Sequence, residues 1–279
     1  MQSKQSRAMF IHSLRKTFLA CLLCFMFTEN SIAGAREDGL KAYRQGHYAE
    51  AIRLWLPVAK ADDIEIQFNL GIMYYEGRGI SQNLDEALYW FKRAAEKGDA
   101  DAQAKLGKLY AEGHGVTQDY QQAEKWFRRS ADQNNKNGQY NLAVLYANGF
   151  GLPQDHGLAL RWYYQAALQD HTGAQFNIGH IHEHGIGVPK DYKEAFNWYD
   201  KAARKGETDA QANLGRMYFQ GLGTRKDPII AYAWFHLAAE QGIENAKKNE
   251  AYVYNRLKSS EKKQARKLAK QYLEKYTKK

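Results

Sequence analysis

The chain has 279 residues, with 40 Lys/Arg against 31 Asp/Glu and a net charge of +9. That excess sits at the ends. Residues 1–33 carry Lys4, Arg7, Arg15 and Lys16 against Glu29, residues 246–279 carry twelve Lys/Arg against Glu250, Glu261 and Glu274, and the span between them is net −3. A body of negative sign argues against a nucleic-acid platform.

In chain order, the first element reads as an export signal. Arg7, Arg15 and Lys16 form a basic region, Phe18 to Phe27 an apolar run, and small residues follow at Ser31, Ala33 and Ala35. This is the form of a secretory signal peptide. Cleavage is expected after Ala33, with Ala35 as the alternative, and Met9 is an alternative start. The apolar run is short for a bilayer span, and no later segment is apolar enough to be one. Both cysteines, Cys21 and Cys24, lie in the run, and Phe18 three positions before Cys21 fits a lipidation signal poorly. A mature chain without cysteine is exported without disulfides and must be held by packing. Periplasm is the expected location, the medium the alternative.

Residues 39–63, with Tyr43, Gly46, Ala51, Leu54, Trp55 and Ala59, read as a shorter helical hairpin. Strict repetition then begins. Gln67, Gln103, Gln139, Gln175 and Gln211 recur at 36-residue spacing, as do Trp90, Trp126, Trp162, Trp198 and Trp234. A fixed period of this length means a repeat architecture, and stacked helical repeats usually present binding surfaces. Five units are framed at 66–101, 102–137, 138–173, 174–209 and 210–245, within a repeat domain of 64–245.

In the unit 102–137, a helix A is predicted from Ala102 to Glu112, with Leu106, Leu109 and Tyr110 as its buried stripe. Gly107 recurs as Gly71, Gly179 and Gly215, with Ala143 the substitute. A helix-interior glycine costs about 1 kcal/mol against alanine, which implies close approach of a partner helix. Paired glycines at Gly77/Gly79, Gly113/Gly115, Gly149/Gly151, Gly185/Gly187 and Gly221/Gly223 read as turns. A phosphate cradle would follow a strand, and none is predicted. Helix B starts at Asn83, Asp119, Asp155, Asp191 and Asp227 as N-caps, with Glu86, Gln122 and Glu194 placed for capping boxes. Its stripe, Ala87, Trp90, Phe91, Ala94 and Ala95, is apolar at helical spacing, and the Trp column is expected in the core. Helix B ends at Gly98, Asn134, Asp170, Gly206 and Gly242, types that tolerate left-handed backbone.

After 245 comes a basic capping region, 246–279. A further helix A begins at Ala246, the chain breaks at 257–260, and Ser260 is placed to cap a last helix. Its stripe of Ala265, Leu268, Ala269, Tyr272, Leu273 and Tyr276 would cover the final Trp face. Lysines on the opposite face read as a solvated cap surface or as a contact for an anionic envelope polymer or lipid.

The Ala-Gln opening, Leu-Gly-x-x-Tyr, the Gly-x-Gly turn, the Asp cap and the Trp before Ala-Ala resemble the Sel-1-like repeat, a branch of the tetratricopeptide superfamily. The resemblance implies an all-α fold, an α/α solenoid (superhelix) that bridges other macromolecules, with envelope, host-interaction or surface-polymer roles in exported bacterial members. Cysteine-rich relatives are described as binding or hydrolysing β-lactams, but this chain lacks their repeat cysteines.

The column Asn69, Lys105, Asn141, Asn177 and Asn213 follows the buried Gln on helix A and is a candidate for hydrogen-bonding an extended peptide on a concave face. The next column, with Lys108, His180 and Arg216, varies more and is a candidate for specificity. His180-Ile181-His182-Glu183-His184 formally matches an inverted zinc-protease pattern. Yet His182 only replaces the Tyr column of Tyr74, Tyr110, Tyr146 and Tyr218, and no third ligand is apparent. No metal, cofactor or catalytic residue is therefore assigned. A non-catalytic protein-binding scaffold is the leading expectation. An envelope hydrolase acting on β-lactams or peptidoglycan-related substrates, and a peptidoglycan- or exopolysaccharide-binding module, are the alternatives.

Overall fold

A computed structural model describes residues 31–277. Among these residues the chain is all helix, without strands. Helix α1 is described over 31–44. It is followed by α2 (Tyr48–Lys60), α3 (Ile64–Glu76), α4 (Leu84–Glu96), α5 (Ala100–Glu112), α6 (Tyr120–Asp132), α7 (Lys136–Asn148), α8 (His156–Leu168), α9 (Thr172–His184), α10 (Tyr192–Arg204), α11 (Thr208–Gln220), α12 (Pro228–Glu240), α13 (Glu244–Arg256) and α14 (Ser259–Tyr276). Consecutive pairs pack as an α/α solenoid. The chain divides into two compact units, one running to Leu109 with Gly113–Thr117, the other comprising Tyr110–Glu112 and Gln118 onward. The expected signal segment and both cysteines fall outside the described residues, apart from 31–33 in α1.

The local rules act as the sequence requires. Asn83, Asp119, Asp155, Asp191 and Asp227 are the helix B N-caps, each accepting from backbone N–H groups of the first turn. The capping boxes, however, do not form. A box needs the cap residue's own N–H, and that group already donates to a helix A carbonyl: Asn83 to Tyr74, Asp119 to Tyr110, Asp191 to His182. Glu86 and Glu194 instead accept the indole N–H of Trp90 and Trp198 at 3.0 and 2.7 Å. Helix A also starts two residues before the expected Ala102, because Asp99 caps it through the Ala102 N–H. The first hairpin extends N-terminal of residue 39: Arg36 pairs with Asp63 and Glu65, and Ile32 and Ala35 pack on the first core. The last helix begins at Ser259 rather than after Ser260, because the Lys258 N–H is taken by the Glu261 carboxylate.

The recurring glutamine joins one repeat to the next. Gln67, Gln103, Gln175 and Gln211 are buried, and each donates its Nε2 to the carbonyl eight residues earlier in the last turn of the preceding helix B: Ala59, Ala95, Ala167 and Ala203. Each of those carbonyls also accepts a 3₁₀-type bond from the backbone N–H three residues on, so the glutamine is its second donor. Gln139 donates to Asn134 Oδ1 instead, at 2.9 Å. Among the described residues Asn134 is one of three non-glycine residues in left-handed backbone, with Asp62 and Asp170, and all three place a side-chain oxygen against the Gln five residues on.

The second glycine of each turn makes the other close contact between repeats. A Cβ on Gly79 would stand 2.5 Å from Tyr48 Cβ, and one on Gly151 2.5 Å from Tyr120 Cβ, both at the first residue of the preceding helix B. Within a repeat, Gly71, Gly179 and Gly215 lie against the rings of Phe91, Tyr199 and Phe235, so the expected close helix approach is real. The Trp column is buried at Trp90, Trp126, Trp198 and Trp234. Trp162 departs from it. It is only partly buried and lines a shallow hollow with Leu158, Arg161 and Gln165. Leu158 holds the place of Glu86 and Glu194, so this indole has no carboxylate one turn back.

Gly151 and Gly242 both have left-handed backbone, but nothing lies within 4 Å of a Cβ built on Gly242. Alanine at either site meets the left-handed penalty of about 1–2 kcal/mol. Gly151→Ala adds overpacking worth about 1–3 kcal/mol. Urea unfolding should therefore rank Gly151→Ala clearly below Gly242→Ala, and equal midpoints would remove the close-contact role of the second glycine.

Candidate functional site

Within the second unit, three successive A helices, α9, α11 and α13, line one cleft of 520 Å³. Helix α9 supplies Phe176, His180, Glu183 and His184, α11 supplies Asp209, Asn213 and Arg216, and α13 supplies Asn245 and Asn249. The floor is an ionic cluster. Glu183 is 6% exposed, accepts from Tyr199 Oη at 2.9 Å and pairs with Arg216. Burial, with the Glu183 charge beside it, pushes the Tyr199 phenol well above its ordinary range, so it stays a donor. A buried pair of this kind is weak evidence for stability, but removing one partner leaves the other charge uncompensated. Its clear effect is positional, since it ties α9 to α11. Arg216 also reaches Asn213 Oδ1 at 3.5 Å.

The rim is made of imidazoles and carboxamides. The rings of His180 and His184 lie 4.2 Å apart. Burial, then the neighbouring His184, holds His180 below the ordinary histidine value, with Glu183 opposing. His182 turns elsewhere and meets Tyr164 Oη at 2.9 Å. The three histidines of the zinc-like pattern thus do not converge, and among the described residues no three His, Cys, Asp or Glu gather in a geometry for a metal ion. The side chains of Asn245 and Asn249 have no hydrogen-bond partner among the described residues. The cleft offers hydrogen-bonding groups around a neutralised ion pair, which suits recognition.

A smaller cleft of 360 Å³ lies between α7 and α9, lined in part by Tyr140, Val144, Tyr163, Asn177 and His180. Asn177 lies in hydrogen-bonding reach of both tyrosine hydroxyls, which burial pushes up in pKa. Thus Asn177, His180, Asn213 and Arg216 of the expected set are brought to clefts. Asn141 is half-buried and donates to its own helix at the Asn137 carbonyl, 2.9 Å away. Asn69 on α3 and Lys105 on α5 are half-buried and Lys108 is exposed, all in the first unit.

Sequence reasoning missed Asn249, Asn245, Asp209 and Glu183. Asn249 was within reach, as it stands one period after Asn213. Glu183 carried a signal too: its column otherwise reads Tyr75, Ala111, Ala147 and Phe219, so a carboxylate there is out of pattern.

The family description "Sel1 repeat" matches at residues 64–99, 100–135, 136–171, 172–207 and 208–243, units that each open on the first residue of helix A. The chain belongs to the Sel1 repeat family. Sel1 repeat proteins are generally non-catalytic scaffolds that bind proteins, and this chain has the repeat architecture of that family. The solved Sel1 repeat protein from Oxalobacter formigenes is 32% identical, with a TM-score of 0.75 over 85% of this chain and 99% of that one. A protective antigen of uropathogenic Escherichia coli strains is 28% identical over 88% of this chain and 69% of its own, with a TM-score of 0.39. A putative Sel1 repeat protein from Klebsiella pneumoniae is 22% identical over 71% and 97%, with a TM-score of 0.49. Comparison with curated proteins finds no match.

His171 carries a pH dependence beside these clefts. It caps α9, its Nδ1 accepting from the Ala174 N–H at 3.1 Å, and it stacks on Tyr140. Burial, then Lys136, holds its pKa below the ordinary 6.5. The folded state thus favours the neutral ring. That contribution is complete above pH 6.5 and is lost as pH falls through 6.5 toward the depressed value. Protonation of Nδ1 also removes the cap, worth about 1 kcal/mol. His171→Asn keeps an acceptor without titrating, so its melting temperature should fall less between pH 7 and 5 than wild type. Parallel declines would exclude the titrating cap.

Proposed function

We propose that this Sel1 scaffold holds a protein partner as an extended peptide segment across the helix A faces of α9, α11 and α13. The observation that carries the reading is the juxtaposition of Asn213, Asn245 and Asn249 along one open cleft, the last two with free carboxamides. A carboxamide offers both a donor and an acceptor, which matches the paired N–H and C=O of an extended backbone. Their placement on successive A helices supplies contacts spaced along a chain, while Asp209, Arg216 and the two histidines surround them with groups able to discriminate side chains.

The same reading places the protein outside the cytoplasm, in the periplasm or beyond it. The basic stretch to Lys16, the apolar run from Phe18 and the small residues at Ser31, Ala33 and Ala35 support export. Cleavage after either alanine leaves Arg36 and Gly39, which engage Asp63 and Trp55, in place.

A photo-reactive side chain at position 245 tests the proposal in intact cells. It should capture a discrete partner, whereas the same group at Gln165 on the helix B surface should not. The captured protein should begin at Gly34 or Arg36; an unprocessed amino terminus would refute export. Asn213→Ala combined with Asn249→Ala should stay folded and bind the identified partner about tenfold more weakly, because each lost hydrogen bond costs about 0.5–1.5 kcal/mol. Unchanged affinity in that double variant would refute the cleft as the binding surface.

A further inference from the structure

We propose that the outward face of α14 adsorbs onto an anionic lipid bilayer. Lys263, Arg266, Lys267 and Lys270 follow i, i+3, i+4, i+7 spacing and form one exposed stripe. The opposite face is occupied: Ala265, Ala269 and Tyr276 are buried, and Leu268, Tyr272 and Leu273 pack on the last cores. Tyr272 and Tyr276 close over Trp234, at 4.7 and 5.3 Å between ring centroids. The helix therefore cannot turn its apolar side to a membrane without uncovering that indole, and its outward face carries the four cations with Gln264, Gln271 and Glu274 beside them.

Those cations are not neutralised within the chain. Among the described residues none of the four is in an ion pair, and two of the three nearby carboxylates are engaged elsewhere, Glu250 with His236 and Glu261 with the Lys258 N–H. Arg266 lies over the Tyr254 ring at 5.4 Å and Lys262 lies over it at 4.9 Å, which anchors this end of the stripe on α13. The negative sign of the 34–245 body concentrates attraction at this end.

The form of the surface selects the ligand. The stripe is a raised helix face, not a groove, and none of its residues lines a described cleft. Parallel flexible cations on such a face can all engage a plane of phosphate headgroups at once, whereas a single polyanion chain is better held by a channel. No large apolar side chain accompanies them on the exposed stripe, so contact is adsorption within a Debye length and weakens with salt. This inference stands apart from the peptide cleft and does not depend on it.

The test is co-sedimentation of the full chain with vesicles of phosphatidylcholine alone or mixed with phosphatidylglycerol. Binding is expected only to the mixed vesicles, falling as salt rises. Any contribution from the apolar Phe18 to Phe27 run would be common to both compositions. Each cation near an anionic surface is worth about fivefold in partitioning. A K263Q/R266Q/K267Q/K270Q variant should thus bind at least about a hundredfold more weakly. A variant with the same charge loss on the repeat body, K190Q/K193Q/R225Q/K226Q, should keep most of the binding. Urea unfolding checks that both remain folded. The proposal is overturned if wild type binds neither vesicle or both equally, if the two variants behave alike, or if a soluble polyanion or duplex DNA binds where mixed vesicles do not.

Discussion

The interaction on which the rest of this structure depends is the buried glutamine amide that bridges adjacent repeats. Helix B ends in a turn whose carbonyls at Ala59, Ala95, Ala167 and Ala203 each accept the backbone N–H three residues on and keep a second lone pair toward the packed interface. A hydrogen bond to that second position contributes about 0.5–1.5 kcal/mol. Gln67, Gln103, Gln175 and Gln211 supply a second donor from the next helix A. The bond is directional, so it specifies register as well as adding stability. At Gln211 it extends further, because Gln241 donates to its Oε1 at 2.7 Å. The 36-residue period is thus set by a polar contact inside an otherwise apolar interface.

Two contacts then close the interface around that bond. The second turn glycine lets the backbone of one repeat lie against the start of the previous helix B, and the helix A glycine seats the ring of its own helix B. Substituting any of these columns costs stability, so they repeat. Partly or fully exposed positions on helix A are less bound by that constraint, and there the repeats differ: Ile72, Lys108, Val144, His180 and Arg216 occupy one column. The Glu183–Tyr199–Arg216 cluster is the strongest local departure, and it lies in the cleft where α9, α11 and α13 converge.

Much of this was legible because periodicity reports packing directly. The caps, the left-handed helix B ends, the turn glycines and four of five tryptophans follow from residue type and spacing. The failures have a common cause: sequence spacing shows which groups can meet, not which meeting wins. Glu86 and Glu194 are spaced for a capping box, yet the cap N–H belongs to a helix A carbonyl and the carboxylates go to indoles. Trp162 matches its column, yet it is only partly buried and lines a hollow, with Leu158 where Trp90 and Trp198 have a carboxylate acceptor. For the cleft, His180, Asn213 and Arg216 stand in the expected columns, whereas Asn177 lines the smaller cleft and Asn141 bonds its own helix. Glu183 was passed over because its partners lie 16 and 33 residues away, a distance only the fold closes.

Replacing Gln211 by methionine tests the central claim most directly. The substitution keeps length and volume but deletes the donor to the Ala203 carbonyl and the acceptor for Gln241. Because the Ala203 carbonyl keeps the Gly206 N–H and Gln241 keeps the Leu237 carbonyl, urea unfolding should show a loss of about 0.5–1.5 kcal/mol for each bond removed. A variant as stable as wild type, or more stable, would show that apolar packing alone sets the repeat interface and that the glutamine column does not.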